Sequence, residues 1–347
     1  MRSTILRAAG ALALAACVGL PAFAQAPAAP SEADLARQQQ QRQQAQPLPT
    51  APVWREVRSG VPQTTSLPGR ETNVLIQPEG QTWRAARVPI ATVGGFLFVA
   101  AVLGVLLFYA WRGPIQLHGT PTGRLIERFT RVERVVHWTV AITFTVLAVT
   151  GLILTFGKSV LLPLIGYTLF SWLATLSKNL HNFLGPVLAV MLPIMIVLFV
   201  RENLPRSHDV AWIKAFGGMF TRKHVAAGKA NAGQKGLFWI MVVVLGLTLV
   251  VSGLILNFPN FDQTRQTMQI SNVVHMVAGL LAVVFLTAHI YLGTIGMKGA
   301  YEAMRYGYVD EQWAKEHHEY WYNDVMSGKV PRGSEPPPPA GIQHRPA

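Results

Sequence analysis

The chain has 347 residues, 50% of them hydrophobic and only 14% charged, whereas soluble proteins carry about a quarter charged residues. That balance excludes an ordinary soluble globule. The net charge of +13 would suit a nucleic-acid binder only if basic clusters sat on a polar folded domain; here Lys and Arg fall between apolar runs, which excludes that partner and indicates a membrane.

In chain order, Arg2 and Arg7 precede the apolar stretch Ala8 to Leu20, which ends in Pro21-Ala22-Phe23-Ala24-Gln25. A basic start, a short hydrophobic core and a small-x-small site describe a cleavable export signal over residues 1–24, too short to span a bilayer. The mature N-terminus is therefore expected outside the cytoplasm. Leu14-Ala15-Ala16-Cys17 also resembles a lipoprotein-processing box, but ranks second because the apolar run continues to a good Ala-x-Ala site. As Cys17 is the single cysteine, the mature chain is expected to supply no disulfide, iron–sulfur cluster or zinc–thiolate site. Residues 25–88 are rich in Ala, Pro and Gln and read as an exported disordered linker; Trp54, Val74, Leu75, Ile76 and Trp83 suffice to dock on a partner but not to form a core.

Five apolar runs follow: Pro89 to Trp111, Val135 to Phe156, His181 to Val200, Leu237 to Phe258 and Ile270 to Gly296. Each offers about 20 residues free of Asp, Glu, Lys and Arg, enough to cross roughly 30 Å of hydrocarbon as a helix. The fold expected is all-α and membrane-embedded, with an additional helix at 89–111, a four-helix bundle over 112–300 and a cytoplasmic tail over 301–347. Arg112, Arg124, Arg128, Arg131 and Arg134 crowd one loop, and Arg201, Arg206, Lys214, Arg222, Lys223, Lys229 and Lys235 another. The intervening loops carry only Lys158, Lys178 and Arg265, so the positive-inside rule gives the orientation that the export signal gives.

Four of the ten histidines, His137, His181, His275 and His289, fall inside these spans. An imidazole in hydrocarbon is costly without a partner, which makes each a candidate functional group. His275 and His289 lie on one helix, about 21 Å apart along it and only about 40° apart around it. Matching depths across antiparallel helices pairs His181 with His275 at the outer level and His137 with His289 at the inner level. Facing neutral imidazoles can hold a haem iron from both sides, and the absence of Cys-x-x-Cys-His makes such haems b-type. Gly185, Gly279 and Gly293 each follow a histidine by four residues and give a macrocycle clearance, although glycines at that spacing also serve helix packing; Ala141 holds the place after His137. A proton path would be expected to recruit buried carboxylates, which these spans lack, and a haem-free zinc or iron site would need further ligands. Two b haems stacked across a bilayer form an electron wire, with a redox donor outside and a lipid-soluble quinone as the natural acceptor inside.

Glu133-Arg134-Val135-Val136-His137-Trp138, Thr150-Gly151-Leu152, His181-Asn182-Phe183-Leu184-Gly185 and Lys229-Ala230-Asn231-Ala232-Gly233-Gln234-Lys235 together resemble the gamma, cytochrome b, subunit of respiratory formate dehydrogenase. The last helix and Trp313-Ala314-Lys315-Glu316-His317-His318 continue the likeness, which covers about residues 124 to 325. The resemblance implies an iron–sulfur beta subunit and a molybdenum- or tungsten-pterin alpha subunit on the exported side, a bacterial inner-membrane location, and a quinone pocket involving Asn231, Gly233, Gln234 and His289. Asn231 and Gln234 precede a helix at the level of the inner pair and offer amide donors to a quinone carbonyl. The signal, the linker and the first span are additions to the compact form of that family, and anchoring within a complex is the role expected of the first span. A cytochrome b subunit of another dehydrogenase, such as a hydrogenase, would share the wire with a different donor, and a haem-free anchor or transporter would lack it. The tail, with Lys298, Arg305, Lys315, His317 and His318, reads as a solvated helix, and Arg124 to Arg134 are candidates to neutralise haem propionates.

Overall fold

The computed structural model describes residues 83–221 and 225–333 in full, the backbone of 63–64, 75–76 and 78–82, and the isolated residues Ala33, Arg37 and Gln41. The export signal, Cys17, Trp54, Val74, Arg222, Lys223 and the tail beyond residue 333 lie outside the described residues. Residues before 91 and those from Ala91 onward form separate units. In the first, β1 (Gln63–Thr64) pairs antiparallel with β2 (Leu75–Ile76).

Among the described residues, five helices are long and apolar enough to cross a membrane: α1 (Pro78–Arg112), α2 (Arg131–Val160), α3 (Leu162–Phe199), α5 (Ala232–Asn257) and α6 (Arg265–Gly296). Each boundary has a local cause. Thr130 and Glu133 form a capping box at the start of α2, and Asn231 and Gln234 form another at the start of α5, so both helix starts satisfy their first free backbone N–H groups. Thr264 caps α6 through the backbone N–H of Thr267. Inside α5, Phe238–Leu245 winds as a π-helix, and α6 ends in another over Leu292–Gly296.

The third span departs from expectation. Its helix starts at Leu162, with a break at Gly166 (φ 74°, ψ 172°), so residues 157–180 are mostly helical rather than a loop, and His181 lies mid-helix. Reading spans from the absence of charge shortens it at Lys178, whereas the helical stretch from the Gly166 break to Phe199, roughly 50 Å long, extends well past the hydrocarbon. A single residue, Leu161, joins α2 to α3, and these two form a tight hairpin; α5 and α6 form a second.

Packing within these two hairpins is close. Val140, Leu147, Leu188 and Leu192 form a buried cluster between α2 and α3. Leu245, Leu249, Ala278 and Ala282 form the matching cluster between α5 and α6. Helix α1 is the least covered of the five, with 6% of its most apolar stretch buried against 17–33% for the others. It leans on α6 where a Cβ at Gly94 would collide with Leu280 Cδ1, and where Phe108 and Tyr109 meet Tyr291 edge to face.

At the end of the bundle where α1, α3 and α6 finish, the chain builds a polar cap. Strand β3 (Leu125–Glu127) pairs antiparallel with β4 (Tyr308–Asp310), and helices α4 (Asp209–Lys214), α7 (Ala300–Tyr306), α8 (Glu311–His317) and α9 (Glu319–Met326) pack nearby. The tail is therefore not a solvated helix. Ile126, Ala303, Val309, Trp313, Ala314, Trp321 and Val325 form a core of their own, and His318 is 1% exposed with Nδ1 donating to the Gly228 carbonyl at 2.7 Å. Basic residues dominate the sequence pattern, but the interleaved tryptophans and aliphatics decide the fold.

Candidate functional site

The structure brings the four membrane histidines together in two pairs. The ring centroids of His181 and His275 are 6.0 Å apart with planes crossed at 74°. Those of His137 and His289 are 6.2 Å apart, crossed at 63°, nearer the polar cap. Two metal–imidazole bonds of about 2 Å, plus about 1 Å from each nitrogen to its ring centre, require roughly 6 Å between centroids, so either pair can hold one metal ion between its rings.

The helices fix which nitrogen is available. Thr150 on α2 is 4% exposed; its hydroxyl donates to Val146 O (2.8 Å) and lies 2.9 Å from His181 Nδ1. The hydroxyl hydrogen is committed to the helix, so the oxygen accepts from Nδ1–H and leaves Nε2 with a free lone pair. Ser252 on α5 repeats this geometry, donating to Thr248 O (2.6 Å) and lying 3.0 Å from His275 Nδ1. The glycine after each hydroxyl lets the ring approach the backbone: a Cβ at Gly151 would stand 3.3 Å from His181 Cε1, and one at Gly253 3.1 Å from His275 Cε1. At the other level, His137 Nδ1 is buried without a hydrogen-bond partner, and the ring stands edge-on to Trp138.

The glycines four residues after the histidines border open space. A Cβ at Gly185 or Gly293 would meet nothing within 4 Å, and at Gly279 only Leu249 Cδ2 at 3.7 Å. Close helix packing does not require them, and the space suits a flat macrocycle. Among the described residues no cluster of three or more His, Cys, Asp or Glu could hold a bare metal ion, so a two-imidazole site relies on a macrocycle for its remaining ligands.

The amide segment forms the start of α5 rather than a loop ahead of it: Asn231 is the N-cap, and Gly233 and Gln234 lie in the first turn. Asn231 Oδ1 accepts from Gln234 N (2.9 Å), and Gln234 Oε1 accepts from Asn231 N (3.0 Å), which leaves both side-chain NH2 groups as donors. Gly233 is required where a Cβ would stand 2.8 Å from the Trp212 ring. Beside this turn, Lys235 and Asp209 form a buried ion pair at 2.8 Å. Burial opposes the Asp209 charge, but the Lys235 ammonium and the Arg206 N–H hold its carboxyl below the usual carboxylate range.

The arginines ahead of α2 serve mainly the cap. Arg124 pairs with Glu311 at 2.8 Å and Arg134 donates to Arg305 O at 2.7 Å. Arg128 is buried, donates to Lys229 O (3.0 Å) and stacks over Trp313 and Phe129. Arg131 and Arg134, with Val135, Trp138, Thr139 and Ile142, line an open cleft of ≈ 360 Å³ one residue along the helix from His137.

Thr150 and Ser252 are not residues that charge or depth singles out. A repeat could have found them: Leu147-Ala148-Val149-Thr150-Gly151-Leu152-Ile153-Leu154-Thr155-Phe156 recurs 102 residues on as Leu249-Val250-Val251-Ser252-Gly253-Leu254-Ile255-Leu256-Asn257-Phe258.

Residues 128–307 match the family model of prokaryotic cytochrome b561. The chain is 30% identical over 223 residues to the nitrate-inducible formate dehydrogenase cytochrome b556(Fdn) subunit of Escherichia coli K12, covering 61% of this chain and 97% of that one. It is 32% identical over 209 residues to the formate dehydrogenase cytochrome b556(fdo) subunit of the same strain, covering 58% and 93%. To the formate dehydrogenase cytochrome b556 subunit of Haemophilus influenzae it is 26% identical over 216 residues, covering 59% and 85%. With five apolar helices and histidines facing one another inside them, this chain belongs to the prokaryotic cytochrome b561 family, multi-pass membrane cytochromes that bind haem b and transfer electrons.

Proposed function

We propose that this chain is the cytochrome b subunit of a formate dehydrogenase complex in a bacterial inner membrane, taking electrons from an iron–sulfur beta subunit and delivering them to quinone. In this reading a molybdenum- or tungsten-pterin alpha subunit oxidises formate on the exported side. The observation that carries it is the pair of imidazole gaps at two depths, one toward each end of the bundle, each of a width that one coordinated iron fills. Two haem b groups, when bound there, supply one-electron carriers spanning the bilayer.

His181 and His275 hold the site at the outer level, and His137 and His289 the site at the inner level. The polar cap, with its basic residues, faces the cytoplasm, which puts the mature N-terminus in the periplasm. Asn231, Gly233, Gln234 and His289 line the quinone pocket; the NH2 groups of the two amides donate to a quinone carbonyl, and Gly233 lets this turn pack against Trp212. Arg131 and Arg134, which line a cleft with Trp138, are the candidates to receive carboxylates from a cofactor edge. Electrons entering outside while quinone takes protons inside would separate charge, worth about 2.3 kcal/mol per charge per 100 mV.

Difference spectra of the purified complex, reduced with formate, test the reading. Two b-type components reduced by formate and reoxidised by quinone are expected. Reduction by hydrogen but not by formate would assign the chain to another dehydrogenase, and no haem bands at all would make it a haem-free anchor.

A further inference from the structure

The sequence holds the same decapeptide pattern twice, and in the structure each copy faces the histidine of its own hairpin: Thr150-Gly151 of α2 faces His181 of α3, and Ser252-Gly253 of α5 faces His275 of α6. Both histidines are followed four residues later by glycine, so each hairpin repeats a hydroxyl, a glycine, a histidine and a second glycine. The inner pair lacks this symmetry. The residue 102 positions after His137 is Trp239, and the residue 14 positions after His181, matching His289 after His275, is Met195. Nor is any hydroxyl hydrogen-bonded to His137 Nδ1, which is buried and unpartnered.

We infer that Thr150 and Ser252 are positioning residues that set the tautomer, ring orientation and reduction potential of the outer haem, while the inner haem goes without such a setting. The inference rests on the two-haem reading above. Each hydroxyl gives its hydrogen to a helix carbonyl and so acts on the ring only as an acceptor. Accepting from Nδ1–H pins Nε2 toward the opposite imidazole and raises the basicity of the ligand. A more basic ligand favours oxidised iron over reduced, so two such acceptors on one haem lower its potential. The glycines allow this seat, because a side chain at residue 151 or 253 would press on the ring and rotate it.

The test is potentiometric titration of the haem-loaded complex carrying Thr150→Val, Ser252→Ala or both. Each single change is expected to raise the midpoint of one haem, by up to tenfold in the ratio of reduced to oxidised haem at fixed potential, which is about 59 mV for a one-electron couple. The double variant shifts it further, the other haem stays in place, and Thr150→Ser restores the original value. Low-temperature electron paramagnetic resonance of the oxidised state is expected to change for the same haem alone. If Thr150→Val assembles without haem, retention of haem and potential by Thr150→Ser supports the seat, and loss there too overturns it. Haem-replete variants with unchanged midpoints, or with both haems shifted equally, overturn the inference while leaving the two-haem reading intact; a wild-type complex without two b haems overturns that reading itself.

Discussion

The two ends of the bundle hold histidine pairs of nearly equal width, yet they are built differently. At the end away from the cap, equivalent positions of two repeated hairpins supply the histidines, and each Nδ1 has a hydroxyl from a neighbouring helix. At the cap end the histidines come from non-equivalent positions, the first helix of one hairpin and the second helix of the other, and a folded polar layer lies beyond them. The first arrangement specifies orientation through hydrogen bonds. The second leaves His137 Nδ1 without a hydrogen bond and stands its ring edge-on to Trp138. The proposed relay between unlike redox partners would need unlike ends, and the two ends differ in what surrounds the histidines rather than in the spacing of the pairs.

Removing ligands breaks the comparison most directly. His181→Ala or His275→Ala is expected to remove the outer haem alone, halving haem content per chain, and to lower formate-to-quinone turnover by at least about 100-fold, since loss of a ligand exceeds the usual effect of an outer-shell change. His137→Ala or His289→Ala is expected to do the same at the inner level. Haem content by pyridine haemochrome assay, with turnover on the same sample, checks both; loss of both haems from any single variant would mean the two levels are not independent sites.

The cap supplies the next largest effect. Lys235 and Asp209 are both buried, and deleting one partner strands the other charge. Asp209→Ala is expected to destabilise the cap end by about 3–5 kcal/mol, while replacing both residues with apolar ones costs much less. Thermal unfolding of the detergent-solubilised complex, compared between single and double variants, measures this. Equal losses in both would show that the pair contributes packing rather than charge compensation.

Much of this is legible in the sequence, and the misses have physical reasons. Apolar runs of about 20 residues locate five spans because hydrocarbon thickness sets a minimum length. They do not locate where α3 begins, because nothing in that length rule stops a helix from continuing past Lys178 into water. Helical rise and angle pair the histidines by depth, and the ring contacts of His181 with His275 and of His137 with His289 follow the same pairing. The repeat marks the positions of Thr150 and Ser252 but not their role, because a hydroxyl in a membrane helix ordinarily bonds its own backbone, as these also do; the three-dimensional approach of an imidazole reveals the second bond. The cap is illegible because sparse tryptophans among charges show no helical period, although Trp313, Trp321 and Ile126 together close a core.

A smaller effect concerns α1, which touches α6 both at Leu280 and at Tyr291 without contributing a histidine. Gly94 lets it approach α6, where any side chain would meet Leu280. Gly94→Leu is expected to cost about 1–3 kcal/mol by overpacking, or to release α1, and in either case to leave both haem potentials unchanged. Cross-linking between cysteines placed on α1 and α6 reports the contact; a shifted potential in this variant would give α1 a part in the outer site.

The smallest expected effect is a pH dependence confined to the cap. His318 is fully enclosed among Trp313, Trp321 and the Gly228 carbonyl, and burial, with Arg128 and His317 nearby, pushes it well below its ordinary value of 6.5. The folded chain therefore keeps His318 neutral where the unfolded chain takes up a proton. Above about pH 6.5 neither state is protonated there and no dependence arises; as pH falls below that value the unfolded state gains, and the cap loses at most about 1.4 kcal/mol per pH unit. The lowered carboxyl of Asp209 acts in a separate window, its contribution fading only as pH falls below about 3.8. Hydrogen exchange over residues 297–333 between pH 7 and 5 is expected to quicken in the wild-type chain, and His318→Phe is expected to abolish that slope while lowering protection at pH 7 through loss of the bond to Gly228. An unchanged slope in the variant would move the titrating group to another residue of the cap, and a slope seen equally at the His181/His275 level would show that the two ends of the bundle do not unfold independently.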